Sequence, residues 1–261
     1  MAPGVETPAR PLESKVIVVT GGSSGIGRAV AERVAAEGAA VAIGARRREA
    51  GEAVAAGIRE AGGRALFLAT DVTVEGDAAA LVRAAAGAFG RLDGAFNNAG
   101  GVPTTGEVPE IDAAGWQAAL DQNLTSVFYG LKHQIPAILA SGGGGAIVNN
   151  ASTAGVVGIP GMAPYAAAKH GVVGLTRAAA LEWAARGVRV NAVVTGTVDT
   201  PLLRGLVGAP PTGELEPGAW NPSARVARPE EIAAFVAFLL SDEAAFITGA
   251  ALAIDGGFTA R

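Results

Sequence analysis

Tyr165 and Lys169 stand four residues apart in a stretch rich in alanine. On a helix that spacing puts both side chains on one face, one turn apart. A free phenol has a pKa of about 10, too high to exchange protons readily near neutrality. A neighbouring ammonium favours the phenolate and lowers that value, so the pair can give and take a proton. Ser152 lies thirteen residues before Tyr165, and Asn123 lies further upstream. Each has a plainer reading taken alone. A Tyr and a Lys at this spacing often decorate an exposed helix face, a serine after a strand often caps a turn, and an asparagine can be a surface amide.

A second feature concerns anions. Residues 20–27 read TGGSSGIG and join an apolar β-branched run to an alanine-rich one. Gly21 permits a tight turn, Gly25 lets the backbone approach a pyrophosphate, and Gly27 allows close helix–strand packing. The helix amino end then favours negative charge. A glycine-rich turn alone is a weak signal, and its place between strand and helix strengthens it.

The elements that must position these residues follow from periodicity. Short apolar runs at 15–20, 39–45, 65–70, 92–97, 146–151, 188–194 and 250–254 read as strands. Several are apolar on both faces, as in parallel strands covered by helices. Helices are predicted at 26–37, 48–61, 75–89, 116–140, 164–186 and 229–240. The last opens with proline and two glutamates, a favourable start. Pro136 is expected to bend or end its helix, and 142–145 reads as a glycine hinge. Alternation of this kind implies right-handed crossovers and an open doubly wound sheet. Residues 1–13 read as a loose leader and 14–261 as one domain. Residues 200–228, rich in Gly and Pro, fall where such sheets bind ligands and read as a substrate cover.

Composition excludes several classes. The 261 residues are 50% hydrophobic and 17% charged, so a sizeable core is available. A net charge of -4 with no basic block beyond Arg46-Arg47-Arg48 gives no nucleic-acid surface. There is no cysteine and only two histidines, His133 and His170, which leaves no thiolate chemistry and no cysteine or histidine-rich metal site. No window approaches the roughly 18 apolar residues of a membrane span, and no signal-peptide run precedes the domain. A cytoplasmic protein is expected.

The glycine spacing together with Tyr-x-x-x-Lys resembles the short-chain dehydrogenase/reductase family, and in particular its 3-oxoacyl-ACP-reductase-like members. The resemblance runs from Lys15 to about Phe258. It implies a single-domain Rossmann fold with a seven-stranded parallel sheet in the order 3-2-1-4-5-6-7. Asn123, Ser152, Tyr165 and Lys169 look like the catalytic tetrad, with Lys169 also holding the nicotinamide ribose. On this reading Ser152 steadies the substrate oxygen, and Asn123 holds a water that links Lys169 to solvent. Cofactor contacts are expected from Gly21, Ser23, Ser24, Gly25, Ile26 and Gly27 of the loop, and from Asp71 and Val72 at the adenine. Asn98, Ala99 and Gly100 follow the fourth strand, and Val198 and Thr200 belong to the nicotinamide segment. The family's usual proline before Gly196 is replaced by Thr195, which is expected to loosen that segment.

Strand two ends at Ala45 followed by Arg46 and Arg47. An acid there would bind a ribose 2′-hydroxyl, whereas arginine suits a 2′-phosphate. NADP(H) is therefore expected to be preferred over NAD(H), unless the arginines merely start a solvated helix. Ser24 adds no charge to the argument. The implied reaction interconverts a ketone, or a 3-oxoacyl group, and a secondary alcohol, with a small-molecule carbonyl or alcohol as substrate. The resemblance also implies a homotetramer packed through small residues such as Ala166, Ala167, Gly171, Gly174 and Ala178. Alternatives are an inactive nucleotide-binding regulator and an epimerase or dehydratase on the same fold. Val102, Thr153, Ile159, Leu202, Leu203 and Trp220 are candidate pocket residues, mostly apolar, with Arg204 as a potential charged handle.

Overall fold

The computed structural model describes residues 10–210 and 222–260. Seven parallel strands form one sheet: β1 (Val16–Thr20), β2 (Ala40–Ala45), β3 (Arg64–Ala69), β4 (Gly94–Asn97), β5 (Gly145–Asn150), β6 (Val188–Thr195) and β7 (Ala251–Ile254). Their order is β3-β2-β1-β4-β5-β6-β7, as the resemblance implied. The chain reverses direction across the sheet between β1 and β4, which opens a crevice at their carboxyl ends.

Period-two alternation divides the core into two halves. Ile17, Val19, Val41 and Ile43 face one side. They are covered by α1 (Gly25–Ala36), α2 (Arg48–Glu60) and α8 (Pro229–Leu240). Val16, Val18, Ala40 and Ala42 face the other. There they meet α3 (Glu75–Phe89), α5 (Ser126–Ala140) and α6 (Ala163–Trp183). Both faces are buried, which explains why the strands read as continuous apolar runs.

The structure departs from the sequence expectations in four places. The helix expected at 116–140 is two helices. α4 (Ala113–Leu120) and α5 are joined by a π turn over Asp121–Thr125 that buries Asn123 completely. Pro136 does not end α5, which runs on to Ala140. Pro136 and Lys132, whose carbonyl loses its helical donor, both lie on the exposed side, where water can replace the missing bond. Residues 10–13 are not a loose leader. Leu12 is fully buried and its amide donates to the Glu37 carbonyl at 3.2 Å. Finally, a short helix, α7 (Pro201–Leu206), begins the segment expected to be irregular, capped by Thr200, whose hydroxyl accepts from Leu203 at 3.2 Å. Residues 211–221 of that segment, including Trp220, lie outside the described residues.

Candidate active site

The glycine loop follows β1 directly. Gly21 and Gly25 have φ of +67° and +53°, a region that side chains rarely adopt. A Cβ on Gly27 would overlap the Gly21 carbonyl, so Gly27 serves packing beneath the loop and does not line the cleft. The loop is pinned from β4. The Asn98 amide donates to the Thr20 carbonyl at 3.0 Å, and the Thr20 hydroxyl accepts from the Asn98 and Ala99 backbone. The amino end of α1 carries no side-chain cap and no acid in its first turn. Its unpaired amides and dipole therefore keep their affinity for an anion.

A cleft of about 450 Å³ runs from this loop across the carboxyl edge of the sheet. Its walls include Gly21, Ser23, Ser24, Gly25, Ile26, Ala45, Arg46, Arg47, Asp71, Val72, Asn98, Ala99 and Gly100, and at the far end Tyr165, Lys169 and Thr200. Those expected residues are thus brought together. Val198 is not. It is 5% exposed, and its backbone bridges to Ala227, tying the two ends of the covering segment. The sequence reading missed Gly44, Thr70, Thr73, Gly101, Gln122, Asn150 and Pro201, which also line the cleft. Most of these adjoin expected residues in sequence. Gln122 belongs to the π turn, which has no sequence signature.

The residues present fit a dinucleotide: an uncapped helix end, a glycine loop whose positive-φ turns bring backbone to the cleft, and a cleft that runs from this loop to Tyr165. At the β2 end, Arg47 reaches back to the loop, donating to Ser24 at 2.7 Å and to Ser23 at 3.4 Å. Arg46 is exposed. Asp71 is held below its ordinary carboxylate range by the hydroxyl and amide of Thr73, with a smaller contribution from the Arg46 charge.

The far end holds the titratable pair. α6 presents Tyr165 half-buried and Lys169 only 3% exposed. Lys169 Nζ donates to the Asn150 main-chain oxygen at 2.7 Å and lies 5.6 Å from the Tyr165 ring centroid. Burial lowers the Lys169 amine to a pKa of about 8. Burial also raises the Tyr165 phenol, and its hydrogen bond with Ser152 offsets only part of that rise. The depression of Tyr165 expected from a neighbouring ammonium is therefore absent here, because desolvation is the larger effect. Ser152 begins the turn after β5 and also accepts from the Ala154 amide at 3.2 Å.

Asn123 lies behind Gly100 and Gly101 and does not line the cleft. Its amide donates to the Gly101 and Ala119 carbonyls, both at 2.9 Å, and its oxygen accepts from the Gly101 amide at 3.0 Å. The side chain is committed to backbone and fixes the loop beside Lys169. Arg204 is not a substrate handle. It forms a two-pronged ion pair with Asp199 at 2.7 Å and also donates to the Pro210 carbonyl. β6 continues through Thr195 in register with Ile254, and Thr197 and Asp199 beyond it pair with Ala227. Among the described residues no helix is long and apolar enough to cross a membrane, and no cluster of metal-ligating side chains occurs.

Comparison with known proteins agrees with this geometry. A family model described as enoyl-(acyl carrier protein) reductase matches residues 21–259. The chain is 46% identical to a 2,5-dichloro-2,5-cyclohexadiene-1,4-diol dehydrogenase of Sphingobium indicum, covering 95% of this chain and 98% of that protein. It is 42% identical to a cyclohexanol dehydrogenase of an Acinetobacter species, covering 95% and 96%. The crystal structure of levodione reductase superposes with a TM-score of 0.89 at 39% identity, covering 95% of this chain and 98% of that one. With its glycine loop, strand order and Tyr165–Lys169 pair in one cleft, the chain belongs to the short-chain dehydrogenase/reductase family.

Proposed function

We propose that the protein interconverts a cyclic secondary alcohol and the corresponding ketone, with Tyr165 exchanging the proton. The observation that carries this reading is the Tyr165 hydroxyl. It bonds with Ser152, on a ring that lies 5.6 Å from the buried Lys169 Nζ, at the end of the cleft that begins at the glycine loop. A nicotinamide dinucleotide in that cleft would supply or accept the hydride. In the reducing direction the phenol, which burial keeps protonated, donates its proton to the carbonyl oxygen. The Ser152 hydroxyl donates to the same oxygen and steadies its developing charge. In the oxidising direction Tyr165 accepts the alcohol proton, and a protonated Lys169 favours the phenolate so formed. Asn123 keeps Gly101 and its neighbours in place behind Lys169. The ring preference draws on the relatives, whose names specify a cyclohexanol and a cyclohexadiene diol.

The same reading gives NADP(H) preference over NAD(H). Ala45 offers no carboxylate to repel a 2′-phosphate, and Arg46 and Arg47 border that end of the cleft. It also includes a homotetramer in the cytoplasm. Ala167, Gly174, Ala178 and Leu181 form an exposed stripe on α6, with Leu181 86% exposed, suited to close packing against a second copy. Initial rates with cyclohexanol, cyclohexanone and open-chain analogues, each with both cofactors, test the reading. Failure of every pair to turn over would overturn it.

A further inference from the structure

Beneath the cleft a one-way chain of hydrogen bonds crosses four adjacent strands. Its direction follows from its last member. The Thr20 carbonyl, at the end of β1, can only accept, so Asn98 must turn its NH₂ toward it, at 3.0 Å. That leaves the Asn98 oxygen facing β5, where it accepts from the Asn150 NH₂ at 3.0 Å. The Asn150 oxygen is then left facing β6 and needs a donor. The Thr195 hydroxyl supplies it at 3.3 Å. Thr195, Asn150 and Thr20 are 7%, 8% and 8% exposed, so water gives them little alternative.

We propose that Thr195 is a positioning residue. Its hydroxyl sets the Asn150 amide, and through it the floor of the cofactor cleft. Two parts of the site adjoin this chain. The Asn150 main-chain oxygen receives Lys169 Nζ at 2.7 Å. Asn98 lies under Gly21, where an added Cβ would stand 2.8 Å from its Nδ2. A residue without a donor at 195 would leave a buried amide oxygen unpaired at the last residue of β5, two residues before Ser152. The threonine thus replaces the torsional restraint of a proline with a hydrogen bond that orients a cleft-lining side chain.

The inference rests on the proposed dinucleotide site, and its test separates the two. NADPH and NADH are titrated by fluorescence into wild type, Thr195→Ser, Thr195→Val, Asn150→Ala and the Thr195→Val/Asn150→Ala double variant. Thermal midpoints are measured alongside. Thr195→Ser should bind within about twofold of wild type, whereas Thr195→Val should bind about three- to tenfold more weakly. Both variants should lose some stability, serine through its missing methyl group and valine through the unpaired Asn150 oxygen. In the Asn150→Ala background, Thr195→Val should cause no further loss. Thr195→Val binding like wild type, Thr195→Ser binding as weakly as Thr195→Val, or losses that multiply in the double variant would each overturn the role of Thr195. In those cases binding by wild type leaves the dinucleotide site standing. A wild type that binds neither dinucleotide overturns both readings.

Discussion

Lys169 Nζ and the Asn150 main-chain oxygen meet at 2.7 Å, joining the second turn of α6 to the last residue of β5. The contact sets the depth of α6 against the sheet and so places Tyr165, one turn earlier, opposite Ser152. It also keeps an amine out of water, which costs free energy whenever that amine is charged.

That cost predicts a pH dependence of folding. Lys169 titrates at about 8 in the folded chain and near its ordinary 10.5 when unfolded. Between these values the unfolded chain binds more protons, so stability rises with pH; the penalty is fully present below about 8. From pH 8 to pH 10 the gain should be roughly 2–3 kcal/mol. Lys169→Met should remove that rise. Urea unfolding of both proteins at the two pH values checks it, and an equal rise in the variant would contradict the assignment.

Tyr165→Phe keeps the ring packing and removes the hydroxyl. Turnover should fall by at least about 10²-fold while dinucleotide affinity is kept. Rapid kinetics together with a binding titration measures both quantities, and near wild-type turnover would rule out Tyr165 as the proton carrier.

Cofactor choice should be reversible at the end of β2. A charge-assisted pair with the 2′-phosphate is worth roughly 1.5–3 kcal/mol, equivalent to about a ten- to hundredfold preference for NADPH. Ala45→Asp with Arg46→Ala should invert the order of kcat/KM. Arg47→Ala should weaken NADPH use more than NADH use, because Arg47 stands against Ser24 at the same end. A wild type that uses NADH at least as well as NADPH would reduce the arginines to a solvated helix start.

Gly27→Ala places a methyl group against the Gly21 carbonyl, where backbone must move. A destabilisation of about 1–3 kcal/mol is expected, with weakened dinucleotide binding. Unchanged thermal and binding midpoints would show that the loop has slack that this packing denies.

Sedimentation tests the assembly. The species should lie near four times 25.8 kDa. Leu181→Glu, which puts a charge on the exposed α6 stripe, should shift it toward smaller forms.

Periodicity alone located the strands, because parallel strands buried on both faces leave long apolar runs such as 15–20 and 188–194. Spacing located the ends of the cleft, since loop glycines and a Tyr–Lys pair act through local geometry. What stayed hidden depends on contacts between distant segments. Nothing in residues 121–125 announces a π turn, and the backbone partners of the Asn123 side chain, Gly101 and Ala119, emerge only on folding. Thr195 was read as a lost proline because its partner, Asn150, lies 45 positions away. The depression expected at Tyr165 counted a charge and left out the desolvation that opposes it.

The π turn between α4 and α5 holds one residue more than a regular helix would need, since the Ser126 amide reaches back five residues to Asp121. Deleting a single residue there would let the two helices fuse into an unbroken rod. Each helical residue turns the chain by about 100°, so α5 could keep its grip on the sheet only if α4 rolled by that amount. Asn123 would then swing away from Gly101. The irregularity works as a phase adjuster, letting one helix serve the core and its continuation serve the site.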